Sequence, residues 1–111
     1  MNRDQRREDR RTSNERLFIQ VVDSSDHDLV GTTLSCHALD VSSGGLRVQA
    51  DRFLPVGCHL DLWVDNSARP GKFFLTSDVR WIRTLEDRFE FGVQLHEGAA
   101  TDIQEWRELL G

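Results

Sequence analysis

Two groups of residues in this chain have the types and spacing to do chemistry. The first is the run Asp40-Val-Ser-Ser-Gly-Gly45. Asp and Ser side chains bond to nearby backbone and hold a turn. Adjacent glycines permit a positive φ, or let a ligand come close to the bare backbone. The run therefore offers one carboxylate, two hydroxyls and accessible N–H groups in one place. The second group is a cluster of arginines, Arg3, Arg6, Arg7, Arg10, Arg11 and Arg16, at the N-terminus. A guanidinium is a planar fork that grips a phosphate or a base edge through two hydrogen bonds, which an ammonium cannot do. Lys72 is the sole lysine. These features suggest an arm and a turn that close on one compact anionic ligand.

The charge distribution agrees with a small ligand. The chain has 111 residues and a formal net charge of −5, which argues against general nucleic-acid binding. Residues 1–16 hold six arginines against four acids, whereas the rest of the chain holds eight basic residues against fifteen acidic ones. A short arginine arm on an acidic body suits a compact anion better than a long polyanion. The length fits one domain with a modest core. No apolar run approaches the roughly 18 residues needed to cross a bilayer. No secretory signal comes after Met1, so the chain is expected in the cytoplasm, with Cys36 and Cys58 as free thiols.

The elements that must hold these groups read mainly as strands. Residues 1–16 are polar and aperiodic, as in a flexible arm. Leu17–Val22 is rich in β-branched and aromatic residues, and Val30–Val41 alternates with Leu34, Cys36 and Ala38 on one face. The Asp40–Gly45 turn leads into Leu46–Gln49. Cys58–Val64 alternates next, with Leu60, Leu62 and Val64 together. Phe73–Arg83 shares a face among Phe73, Leu75, Val79 and Trp81, and Phe89, Phe91, Val93 and Leu95 alternate most cleanly. After Gly98 the period changes. Thr101-Asp-Ile-Gln104 fits a capping box, and Ile103, Trp106, Leu109 and Leu110 form one face of a helix over 101–110. The pattern predicts a mainly β fold: a small six-stranded antiparallel barrel over 17–111, closed by a C-terminal helix and preceded by the arm at 1–16.

With these motifs in that order, the chain resembles the PilZ domain, a bacterial receptor module for cyclic di-GMP. The family carries R-x-x-x-R near the N-terminus and D/N-x-S-x-x-G downstream. Arg7-Glu-Asp-Arg-Arg11 fits the first; Arg6/Arg10 and Arg3/Arg7 have the same spacing, but Arg6 supplies the extra arginine that family members carry before the motif. Asp40, Ser42 and Gly45 fit the second. Val79-Arg-Trp-Ile-Arg83, the Gly92–Leu95 strand and the closing helix also look like the family, whereas the polar spacer Thr12–Arg16 is longer than usual. The resemblance implies a non-catalytic protein that binds cyclic di-GMP and uses no other cofactor and no metal. It carries over as ligand-binding residues Arg6, Arg7, Arg11, Asp40, Ser42 and Gly45, with Arg10, Ser43, Gly44 and Trp81 as further candidates. Arg47 and Arg83 are lesser ones. The arginines would pair with phosphate or with guanine O6 and N7, and Asp40 would accept from guanine N1–H and N2–H₂. The expected mechanism is a stand-alone receptor or adaptor whose arm folds over the ligand and makes a signalling surface for a downstream protein. The alternative is an interaction module with little or no nucleotide binding.

Other chemistries fit less well. Cys36-His37 and Cys58-His59 look like metal pairs, but neighbours on a strand point to opposite faces. No G-x-S-x-G accompanies the serines for hydrolysis. The acidic body and the absence of an aromatic RNA-reading motif count against nucleic acid as a partner, and no segment suggests membrane insertion.

Overall fold

Alternating apolar residues along six strands wrap into one closed sheet in the structure, a computed structural model that describes residues 11–66, 70–98 and 100–110. The elements are β1 (Arg11–Thr12), β2 (Arg16–Asp23), a 3₁₀ turn (His27–Leu29), β3 (Thr33–Val41), β4 (Gly45–Ala50), β5 (His59–Asp65), β6 (Lys72–Thr84), β7 (Phe89–Leu95) and α1 (Ile103–Leu110). The strand order is β1-β3-β2-β5-β6-β7-β4, and β4 pairs again with β3. Strands β2–β7 thus form a closed six-stranded antiparallel barrel, and β1 is an extra strand laid beside the end of β3. Closure leaves no open edge running the length of the sheet.

The barrel interior is aliphatic. Leu17, Ile19 and Val21 of β2, Leu60, Leu62 and Val64 of β5, and Phe73, Leu75 and Val79 of β6 are all buried there. Each such side chain contributes roughly 1.5–3 kcal/mol on leaving water. The helix α1 lays Ile103, Trp106 and Leu110 against the barrel, with the Trp106 ring edge-on to Phe73 at 5.3 Å. Helix α1 begins two residues later than the capping box suggests. Thr101 donates its hydroxyl to the Gly98 carbonyl at 2.7 Å, and Asp102 accepts from the Phe74 N–H at 2.8 Å, so both are held outside the helix. Strand β3 also starts later than the alternation suggests. Gly31 adopts φ +90°, and the Thr32 N–H bonds back to Leu29, so the chain is still turning there.

Two irregularities decide which side chains face out. In β3, Ala38 pairs with Val48 and Asp40 with Arg47, so β3 spends one more residue than β4 across that step. In β6, Val79 pairs with Val93 and Trp81 with Gly92, which is a second extra residue. Each is a β-bulge, and a bulge reverses the facing of the residues beyond it. Cys36 and Ala38 point into the barrel, but Asp40 points out and Val41 takes the inward position. The sequence pattern puts Trp81 on the same face as the buried Phe73, Leu75 and Val79. The bulge at Arg80 corrects this: Trp81 is 41 % exposed and Ile82 packs toward the core instead.

Candidate functional site

The turn between β3 and β4 is braced from three directions. The Ser42 N–H donates to the Gly45 carbonyl at 2.9 Å. The Ser42 hydroxyl donates to that same carbonyl and accepts from the Gly45 N–H, each at 3.2 Å. The Ser42 carbonyl accepts from the Trp106 indole at 2.9 Å, and the Gly44 carbonyl accepts from the Leu95 N–H at 2.9 Å. Ser42 is wholly buried, so its hydroxyl shapes the turn from inside. Ser43 and Gly44 form the tip. The positive-φ glycines among the described residues are Gly31, Gly57 and Gly71. Gly44 and Gly45 therefore do not serve a left-handed backbone.

Next to the turn runs the polypeptide that leads to the arginine cluster. Arg11 pairs with Val41 and Thr12 with Asp40, antiparallel, and the Ser13 N–H donates to the Leu39 carbonyl at 2.9 Å. Arg6, Arg7 and Arg10 themselves lie outside the described residues, as does the side chain of Arg11.

On the outer wall, the cross-strand register draws one row over four strands. Asp40 (β3) faces Arg47 (β4), Arg47 faces Gly92 (β7), and Gly92 faces Trp81 (β6). The indole lies directly on Gly92: a Cβ there would come within 2.2 Å of the Trp81 Nε1. Beside this row, Arg80 donates to Gln94 at 2.6 Å. Gly44, Gly45, Arg80, Trp81, Gly92, Val93 and Gln94 line an open cavity of about 260 Å³. Half-exposed aromatic surface, amide and guanidinium donors and bare glycine backbone thus meet in one concavity.

A chain of charges borders it. Arg47 Nε donates to Asp40 Oδ2 at 2.7 Å, and its Nη1 lies 3.3 Å from Glu90 Oε1. Arg83 Nη2 bonds the same Glu90 oxygen at 2.6 Å. The hydrogen bond from Arg83 and the field of both guanidiniums hold the Glu90 carboxyl below its ordinary pKa, against the opposing effect of burial. The hydrogen bond to Asp40 does most to raise the Arg47 pKa.

The family model for the PilZ domain matches residues 4–111, nearly the whole chain. The chain belongs to the PilZ domain family. Several solved structures share its fold. The inhibitor of motility MotI/DgrA of Bacillus subtilis superposes with a TM-score of 0.73 at 17 % identity, over 98 % of this chain and 50 % of that one. This PilZ domain thus spans half the length of that protein. The PilZ domain of YcgR from Escherichia coli, in a structure with c-di-GMP, superposes with a TM-score of 0.66 at 16 % identity, over 95 % of this chain and 88 % of that one. Comparison with curated proteins finds no match.

Within this PilZ domain, the structure brings Asp40, Gly44, Gly45 and Trp81 onto one surface and puts Ser42 beneath it. Gly92, Arg80 and Gln94 join them, although their sequence positions alone do not mark them as site residues. Gly92 interrupts an otherwise apolar and charged strand, and that interruption is the one signal the sequence carries for it. The remaining candidates sit elsewhere: Cys36 and Cys58 are buried free thiols, and burial pushes the Cys36 thiol up to about 12. Among the described residues, no group of three His, Cys, Asp or Glu is arranged to hold a metal ion, and no helix is long and apolar enough to cross a membrane.

Proposed function

We propose that this PilZ domain binds cyclic di-GMP between its arginine arm and the Asp40–Gly45 turn, without catalysing a reaction. The observation that carries the reading is the pairing of β1 with β3. It ties Arg11 and Thr12 to Val41 and Asp40, so the backbone of the arginine motif starts within one strand spacing of the turn. Family membership and the fold shared with a c-di-GMP complex support the same ligand.

Each part of the ligand then has a partner. Arg7 and Arg11, with Arg6 and Arg10, take the two phosphodiester charges or the O6/N7 edge of guanine through bidentate contacts. Asp40 accepts from guanine N1–H and N2–H₂. Trp81, turned outward over Gly92, offers a face on which a base stacks, and Gly44 and Gly45 let the ligand approach the backbone. The free arm lacks apolar residues to bury, so ligand contacts offset its ordering entropy of roughly 1–2 kcal/mol per residue. The closed arm and ligand form a surface that a downstream protein reads.

Calorimetric titration with cyclic di-GMP, with GMP as control, tests this. Arg7→Ala/Arg11→Ala should lower affinity ten-fold or more, because a charged hydrogen bond contributes about 1.5–3 kcal/mol. Unchanged affinity in that double variant would remove the arginines from the mechanism. A folded wild-type chain that ignores cyclic di-GMP would point instead to an interaction module.

A further inference from the structure

Arg47 stands between two carboxylates, Asp40 and Glu90. Glu90 is 7 % exposed and is fixed by two guanidiniums on one oxygen. Asp40 sits beside the turn and opposite Thr12. The guanidinium of Arg47 spans the two, with Nε on Asp40 at 2.7 Å and Nη1 on Glu90 at 3.3 Å. A planar fork with both ends occupied cannot rotate without breaking a bond. Glu90 is clamped from β6 by Arg83, so the Arg47 fork is anchored at that end. Asp40, at the other end, comes directly after a bulge, a feature that re-aims side chains.

We propose that Arg47 is a specificity-determining positioning residue: anchored by buried Glu90, it aims the Asp40 carboxylate at the Watson–Crick edge of guanine. This deepens the ligand reading above and rests on it. A carboxylate that accepts from both N1–H and N2–H₂ must present its two oxygens side by side, in the plane of the base. Pinning Oδ2 through the Arg47 Nε fixes that plane. Arg47 then acts through Asp40 and need not touch the nucleotide.

The test uses a pair of ligands that differ in one group. Cyclic di-IMP keeps the phosphates, O6, N7 and N1–H of cyclic di-GMP and lacks only the N2 amine. Affinities of both are measured by calorimetry for wild type, Arg47→Met, Glu90→Gln and the double variant, with thermal unfolding to verify folding. Wild type should favour cyclic di-GMP by about ten-fold or more, the worth of a hydrogen bond to a charged group. In Arg47→Met the gap should shrink to about three-fold or less, chiefly through weaker cyclic di-GMP binding, as expected when one of two partners is misaligned. Glu90→Gln should narrow the gap in the wild-type background and leave it unchanged when Arg47→Met is already present. Non-additivity of this kind separates positioning from a general loss of stability.

A gap that persists at full size in Arg47→Met overturns the proposal. So does tighter cyclic di-GMP binding in that variant, which would make Arg47 a competitor for Asp40 rather than its guide. Should Arg47→Met not fold, Glu90→Gln carries the same comparison from one residue farther away. Wild type that binds neither nucleotide removes the ligand reading itself, an outcome distinct from wild type that binds both with the gap intact in the variants.

Discussion

At the scale of single residues, the site depends on what is absent as much as on what is present. Gly92 has no turn to make; it sits in the middle of β7, where glycine weakens a strand. Its use is that the Trp81 indole rests where a Cβ would be. Gly92→Ala should therefore displace a ring that is half in solvent and able to swing, leaving the barrel folded. The platform moves with it. Base stacking on an aromatic ring is worth about 1–3 kcal/mol, so cyclic di-GMP affinity should fall by roughly five-fold or more. Calorimetry alongside a melting curve checks this: unchanged affinity with a displaced indole would mean that no base stacks on Trp81. Ser42 illustrates the opposite case. Its carbonyl is taken by Trp106, and its hydroxyl serves as acceptor for the Gly45 N–H. Within the D-x-S-x-x-G pattern the serine thus shapes the turn from below, while Asp40 and the glycines face outward.

At the scale of elements, the amino-acid pattern makes plain which segments are strands and much less plain which way they face. Alternation locates β5 and β7 nearly to the residue, because the extra residue at each register shift lies on the partner strand, β2 or β6, and not on them. It fails at Trp81 and would send Asp40 inward, because the bulges in β3 and β6 arise from pairing with β4 and β7. Cross-strand register is a property of two segments and is invisible in either one. The turn itself is legible, since Asp, Ser and Gly in that order bond locally. Its attachment to α1 is not. Periodicity marks Trp106 as one apolar residue on a helix face, whereas its indole N–H reaches the carbonyl of Ser42, 64 residues earlier. Trp106→Phe should keep much of the packing against Phe73 and leave that carbonyl without this donor. A hydrogen bond of this kind contributes about 0.5–1.5 kcal/mol net. For a domain of this size, that corresponds to a melting temperature lower by about 5 °C. A melting point within a degree of wild type would mean that the helix and the turn are energetically independent.

At the scale of the whole molecule, the proposed function separates the stability of the barrel from the work of the arginine arm. Among the described residues, the first core residue is Leu17, and the first pairing of the barrel is made by β2, beginning at Arg16. Strand β1 adds one short ladder beside β3, where it covers backbone groups of Asp40 and Val41 that would otherwise form a local edge. The charge pattern divides the chain in two: residues 1–16 hold more arginine than acid, and the rest holds nearly twice as many acidic as basic residues. In the proposed function, the β1 ladder holds the end of this arm to the body and the ligand supplies the counter-charge. Removing residues 1–9 should leave the melting temperature within about 4 °C of wild type, as expected when no buried contact is lost. The same truncation takes away Arg6 and Arg7 and keeps Arg11 in its ladder, so cyclic di-GMP affinity should drop by ten-fold or more, because at least one charged contact is gone. Melting and titration on one sample decide it. A truncated chain that melts far lower would make the arm part of the fold, and one that binds as tightly as wild type would move the ligand contacts entirely onto the barrel wall of Asp40, Trp81 and the two glycines.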